Sequence, residues 1–220
     1  MKKLTFLLLL SFPLLLHAQF GIKAGLNYAN VTNASSINSS HSSGFMVAVF
    51  LAPQSKGIIS YNTEIGFSQQ GYNYKTNTNN GKVTLNYIMM PHLIGINITR
   101  FFQLQLGGQT AYLLNAKADS SRNQSSSSNP NSKITDYYNR FDYGAAAGFE
   151  VHPVSGLIIG ARYNISFGDL YKNMATANPG ETPSFIPKVD AKNNVVQIFA
   201  GWRFGKNTTK KKDKQKDAGN

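Results

Sequence analysis

Six charged residues lie on segments of alternating polarity, at positions that turn away from the apolar face: Lys23, Glu64, Asp142, Glu150, Arg162 and Arg203. A narrow, dry interior tolerates such ions only with partners, because an unpaired buried charge is costly. Glu64 and Arg162 fall near the middle of their segments and are expected to pair across the interior. Lys23, Glu150 and Arg203 fall nearer one end and are expected to cluster there. Two chemistries are open to this set: fixed ion pairs that plug and stabilise the fold, or a gated conduit or proton relay.

A lipid-modifying hydrolase would instead need a serine, a histidine and an orienting carboxylate within reach of one another. Of the four histidines, His17 falls in an apolar leader, His41 in a serine-rich loop and His152 in a turn. Only His92 lies on a strand, and no serine and acid beside it complete a constellation, so it reads as an interfacial histidine. His, Asp and Glu do not cluster at metal-ligand spacing, and there is no cysteine. The glycines match strand interiors and not a strand-to-helix phosphate loop. The sequence thus offers no catalytic, cofactor-binding or metal-binding residue, and no cofactor is expected.

The segments that would position the charges alternate with period two, as strands between two different surroundings do. The first sets Phe20, Ile22, Ala24, Leu26 and Tyr28 against Gly21, Lys23, Gly25 and Asn27. Residues 44–52 are apolar on both faces, which leaves their orientation open. Residues 58–70 set Ile59, Tyr61, Thr63, Ile65 and Phe67 against Ser60, Asn62, Glu64, Gly66 and Ser68. Within 83–98 the second half is clear, while Pro91 in the first half predicts a bulge or an interrupted ladder. Residues 102–112, 141–150, 157–167 and 194–204 complete the set.

Eight strands result, joined by connections that alternate long (30–43, about 71–81, 116–140, 168–193) and short (53–57, 99–100, 152–156). This asymmetry predicts an all-β fold, an eight-stranded antiparallel up-and-down transmembrane β-barrel with long loops outside and tight turns in the periplasm. A soluble barrel of the lipocalin type would put the apolar face inside and a charged coat outside. Here the apolar face is nearly free of charge and carries aromatics towards its two ends. Phe20, Phe102, Phe149, Trp202 and Phe204 form one expected interfacial girdle, and Tyr28, Phe67, Tyr112, Phe141, Tyr163 and Phe167 the other. The opposite face is mostly Gly, Asn, Gln and Ser, which suits a crowded lumen.

Three domains are expected: a signal peptide over 1–18, the barrel over 19–204 and a disordered basic tail over 205–220. Lys2-Lys3, the apolar run 4–16 and Leu16-His17-Ala18 fit a leader cleaved before Gln19. That run is short of the roughly 20 residues a membrane helix needs. The tail holds six lysines against two aspartates, so much of the formal net charge of +12 belongs to the two ends. On an exported chain such a tail is expected near anionic headgroups or another protein, or simply solvated, and not on nucleic acid.

Leu85-Asn86-Tyr87-Ile88-Met89-Met90-Pro91, Asn139-Arg140-Phe141-Asp142-Tyr143-Gly144, Gly160-Ala161-Arg162-Tyr163-Asn164 and Gly201-Trp202-Arg203-Phe204-Gly205 resemble the PorT-like outer-membrane β-barrel family. The resemblance implies an eight-stranded barrel in the outer membrane of diderm bacteria, with one branch tied to protein export. The sequence departs from the family at Met89, where an acidic residue is common, so the partner of Arg162 must differ if that acid supplies it.

The expected role is a non-enzymatic barrel with a filled lumen, acting structurally or as an interaction partner in the cell envelope. An accessory of protein secretion and a lipid-modifying hydrolase are the alternatives. Expected partners are outer-membrane lipid and lipopolysaccharide, the barrel-assembly machinery during insertion, and envelope or secretion proteins. In the outer loops only Tyr137-Tyr138 and Tyr171 offer aromatic anchors for a surface partner.

Overall fold

A chain that crosses lipid on strands must satisfy every backbone N–H and C=O within itself, which an open sheet cannot do and a closed one can. The computed structural model describes residues 18–32, 34, 37–53, 57–75, 80–120, 134–172 and 191–204, and in it the sheet is closed. The strands are β1 (Ala18–Thr32), β2 (Ser40–Pro53), β3 (Ile59–Lys75), β4 (Asn80–Asn97), β5 (Phe102–Ser120), β6 (Phe141–Val151), β7 (Leu157–Ser166) and β8 (Lys192–Phe204). Each pairs antiparallel with its neighbours in sequence, and β8 returns to β1 in a ladder from Phe20 opposite Phe204 to Thr32 opposite Lys192. The serine run 125–128, the tail 205–220 and the leader up to residue 17 lie outside the described residues.

The exterior is a belt of exposed apolar side chains that includes Ile22, Leu26, Val49, Ile65, Ile94, Leu106, Ile159 and Ile198. A monomer in water rarely exposes a contiguous apolar patch of more than a few hundred Å2. A belt that circles the whole wall is a surface made for lipid. Pairing with β1 settles the orientation of β2, since Ala48 stands opposite the inward Lys23. Phe45, Val47, Val49 and Leu51 therefore face out, and Met46, Ala48, Phe50 and Ala52 face in.

The strands are longer than their alternation suggests. β3, β4 and β5 have 17, 18 and 19 residues, where a membrane strand needs only about 9–11. Of the stretch expected as a loop over 71–81, residues up to Lys75 and from Asn80 are strand; of that over 30–43, residues up to Thr32 and from Ser40 are; and the fifth strand continues past Tyr112 to Ser120. The cause is an inversion of chemistry along each strand. In the membrane portion Glu64, Ser68, Gln105 and Gln109 point inward; further out Tyr72, Tyr74, Val83, Leu85, Tyr87 and Leu113 do. Outward positions change the other way, from Ile88 and Met90 to Asn86, Thr84 and Lys82. The protruding part is thus built like a water-soluble barrel, apolar inside and polar outside.

Two irregularities serve this change. Between β4 and β5 the register steps from Tyr87 opposite Leu113 to Asn86 opposite Asn115, so Leu114 is an extra residue in a bulge. Beyond it Ala116 turns in while Lys117 and Asp119 turn out. Gly71 has φ of +146°, and a Cβ there would lie 2.0 Å from the Val83 carbonyl oxygen. At Pro91 the β3–β4 pairing skips Glu64 and Ile65 but resumes in the same register, an interrupted ladder without a shift.

Candidate functional site

The middle of the lumen holds four of the six charges singled out above. Lys23 of β1 donates to Glu64 of β3 at 2.6 Å and to Glu150 of β6 at 2.5 Å. Arg162 of β7 donates Nη1 and Nη2 to the two oxygens of the same Glu64, at 3.0 and 2.7 Å. All four side chains are buried. The two positive and two negative charges balance, which is the condition for keeping ions in a dry interior. Two aromatic rings form a floor: Lys23 Nζ lies 4.8 Å from the centroid of Phe50, and Arg162 Cζ lies 5.3 Å from that of Phe199. A Cβ on Gly148 of β6 would lie 2.8 Å from Arg162 Cα, so glycine there lets the two strands approach closely beside the quartet.

One merged quartet replaces the two separate groupings expected. Lys23 bridges Glu64 and Glu150, while Arg203 forms no ion pair among the described residues and instead lies 5.9 Å from the Phe50 ring centroid. Asp142 also stays apart. Its Oδ2 accepts from Ser166 at 2.5 Å, and its Oδ1 is buried without a partner among the described residues. The reason is height: Asp142 stands opposite Ala111, well along β6 from Glu150.

Neutral polar side chains extend the filling from the quartet towards the outer end. Gln197 donates to Asn27 at 3.0 Å, Asn27 and Gln70 donate to Ser68 at 2.9 Å, and Asn193 donates to Gln70. Gln70 also donates to the Met89 sulfur at 3.0 Å. Met89 borders the same small cavity as Glu64 and Arg162. Near Asp142, Gln109 Oε1 and both amide atoms of Asn164 are buried and unbonded among the described residues.

The outer end is closed by apolar packing that period-two reading did not anticipate. Ile134, Tyr138, Leu170, Tyr171 and Ala191 from the outer connections fold over Tyr72, Leu85, Tyr87 and Leu113 of the protruding strands. Tyr171 donates to the Tyr72 hydroxyl at 2.8 Å, and the Tyr72 and Tyr138 hydroxyls are 2.9 Å apart. Tyr138 and Tyr171 are also joined as an isolated β-bridge. Burial holds the hydroxyls of both residues well above the usual tyrosine range; the negative charge of Tyr171 would add to the effect on Tyr138, and the bond to Tyr72 offsets it in each. Tyr138 and Tyr171 are therefore part of a lid and not surface anchors, with Tyr138 fully buried. The inward tyrosines at 72, 74 and 87 were the available signal, since a small polar lumen has little use for three phenol rings.

The expected girdle aromatics all lie on the outer wall. Phe20, Tyr28, Tyr112, Phe141, Phe149, Tyr163, Phe167, Trp202 and Phe204 are exposed. Phe67 and Phe102 are half-buried, covered by Phe45 at 5.6 Å and Phe149 at 5.9 Å between ring centroids. His92 also faces outward, with Nδ1 at 3.0 Å from both the Tyr61 and Thr63 hydroxyls. His152 lies 3.3 Å from Glu150, a contact that its turn position concealed. Among the described residues no serine side chain is hydrogen-bonded to a histidine, and no three His, Asp or Glu residues are grouped to hold a metal ion.

A family profile described as outer membrane protein beta-barrel domain matches residues 11–172. Solved structures of similar fold include Ail, the attachment invasion locus protein of Yersinia pestis, at 14% identity and a TM-score of 0.46, covering 86% of this chain and 99% of that one. Neisserial surface protein A is similar at 14% identity and 0.49, with 85% and 99% covered. OprG from Pseudomonas aeruginosa is similar at 12% identity and 0.44, with 86% and 97% covered. No protein of curated function matches the sequence.

Proposed function

The chain belongs to the outer membrane protein beta-barrel domain family, and from that premise we propose that it is a non-enzymatic outer-membrane barrel whose lumen is a filled scaffold. Its role is structural or as an interaction partner within the envelope. The observation that carries this reading is the sealing of the lumen at two levels, by the Lys23–Glu64–Arg162–Glu150 quartet and by the tyrosine lid above it. A charge-neutral quartet supports a plug better than a relay, because each of its carboxylates is already held by a cation. The test is conductance in a planar bilayer. The intact barrel is expected to give no steady current, and a stable open channel would sink the proposal.

A specific observation favours a second reading, an accessory of protein export of the PorT-like kind. Met89 occupies the position where that family commonly has an acid, and it shares a small cavity with Arg162. Glu64 meets the arginine there from the neighbouring strand. If the family's acid partners the matching arginine, Glu64 of β3 takes over that part here. A deletion strain compared with its complemented parent tests this reading. Loss of many extracellular proteins with precursors held in the periplasm supports export, and an unchanged surface proteome removes it.

A further inference from the structure

The end of the barrel that carries the short turns holds cations that the quartet does not use. The turn at 98–101 and the turn at 152–156 are joined by a bond from the His152 N–H to the Phe101 carbonyl, at 2.8 Å. The second turn is tied to β8 by a bond from the Arg203 N–H to the Gly156 carbonyl, at 2.7 Å. These three anchored pieces enclose a cleft of about 650 Å3. Its walls include Arg100, His152 and Arg203 on the polar side and Phe101, Pro153 and Val154 on the apolar side.

The polar side is positive, although the Glu150 charge reaches Arg203 without a direct contact. Glu150 is already engaged by Lys23 and His152, and neither Arg100 nor Arg203 forms an ion pair among the described residues. The Arg203 Nε is buried with no partner among the described residues, although a guanidinium N–H left unmade is costly. Arg100 lies with its Cζ 4.4 Å from the Phe101 ring centroid, so cation and ring face the cleft together. The apolar side is open, with Phe101 45% and Val154 57% exposed. Its wall at Gly156 lies beside Trp202, one of the aromatics expected at the boundary between lipid and water.

Free guanidinium groups beside exposed apolar side chains at headgroup height match a phosphate with hydrocarbon attached. We propose that this mouth binds the headgroup of an anionic phospholipid from the periplasmic leaflet. Arg203 and Arg100 hold the phosphate oxygens, and Phe101 and Val154 pack on the first methylenes of the acyl chains. The site lies outside the sealed lumen and does not depend on the lumen being a plug.

Trp202 is the only tryptophan, and a Cβ placed on Gly156 of the cleft wall would lie 3.0 Å from its ring, so its emission reports on the cleft. The experiment titrates the full chain, folded in maltoside micelles, with dihexanoyl phosphatidylglycerol, dihexanoyl phosphatidylcholine or inorganic phosphate. A saturable change with phosphatidylglycerol is expected, with affinity about fivefold or more above that for the zwitterionic lipid, and no change with inorganic phosphate. Arg203→Gln is expected to weaken the anionic lipid about tenfold and Arg100→Gln about threefold. Arg100 is exposed on a turn, so its variant keeps the test alive even where the first fails to fold. An equal response to inorganic phosphate would overturn the lipid as ligand. Equal responses to both lipids, unaltered in both variants, would overturn the site.

Discussion

Glu64 receives Arg162 through two parallel hydrogen bonds, one from each terminal nitrogen, while its Oε1 also accepts from Lys23. The pair joins β3 to β7 across the lumen, so strands that share no ladder are held at a fixed separation. A bidentate contact fixes orientation as well as distance.

Removing one member of this pair leaves a buried charge without its partner. Glu64→Met or Arg162→Met alone is expected to cost about 3–5 kcal/mol, whereas the double variant with both substitutions recovers most of that loss. Lys23 and Glu150 remain paired in the double variant. Urea unfolding of the detergent-folded barrel, followed by its gel mobility shift, measures all three. A double variant as weak as the sum of the singles would show that the two residues do not act as a pair.

The tyrosine lid should open from the alkaline side. The Tyr138 and Tyr171 hydroxyls are held above the usual value of about 10 by burial. A raised folded-state value means that the stabilisation is complete below pH 10 and is lost as pH climbs through the folded value. Limited proteolysis within residues 134–172 is therefore expected to be constant up to about pH 10 and to accelerate above it. The double variant Tyr138→Phe, Tyr171→Phe should weaken this dependence, with the buried Tyr72 phenol remaining, and an unchanged pH profile in that variant would assign the opening to other groups.

Among the described glycines, Gly71 combines a positive φ with a backbone approach too close for a side chain. Its φ of +146° and the 2.0 Å approach of the Val83 carbonyl leave no place for a Cβ. Gly71→Ala is expected to destabilise by about 1–3 kcal/mol. The loss should be confined to the protruding strands, so hydrogen exchange should rise at Tyr72 and Tyr74 while Glu64 stays protected. Uniform loosening of β3 would refute that localisation.

Asn164 is buried with neither amide atom bonded among the described residues. Replacing a group whose hydrogen bonds go unmade with an apolar one of similar shape is neutral or stabilising. Asn164→Leu should therefore change stability by no more than about 1 kcal/mol in the unfavourable direction. A loss beyond about 2 kcal/mol would mean that water satisfies the amide.

Strand number, order and the lipid face were legible because period two survives wherever one side meets lipid and the other meets polar groups, as from Ile59 to Ser68. It fails where chemistry inverts. Beyond Gln70 in β3 and above Ile88 in β4 the inward residues turn apolar, so the pattern read as loop or as ambiguity. The Leu114 bulge flips the phase of β5 and hides its last six residues. The placing of Glu64 with Arg162 followed from mid-strand position alone. The separation of Asp142 and Arg203 did not, because strand stagger around a tilted barrel sets height and a single sequence carries no stagger.

The ladder between β1 and β8 sets an order of events. The rings of Phe20 and Phe204 stack with centroids 5.1 Å apart although nearly the whole chain separates them. Until β8 has been delivered, β1 has only β2 beside it, and β7 likewise has only β6. Both exposed edges are able to pair with any other extended chain. Seven strands therefore make no smaller version of the molecule, only an unfinished sheet that must be sheltered from its neighbours. In time, the first strand to be made is among the last to gain its second neighbour.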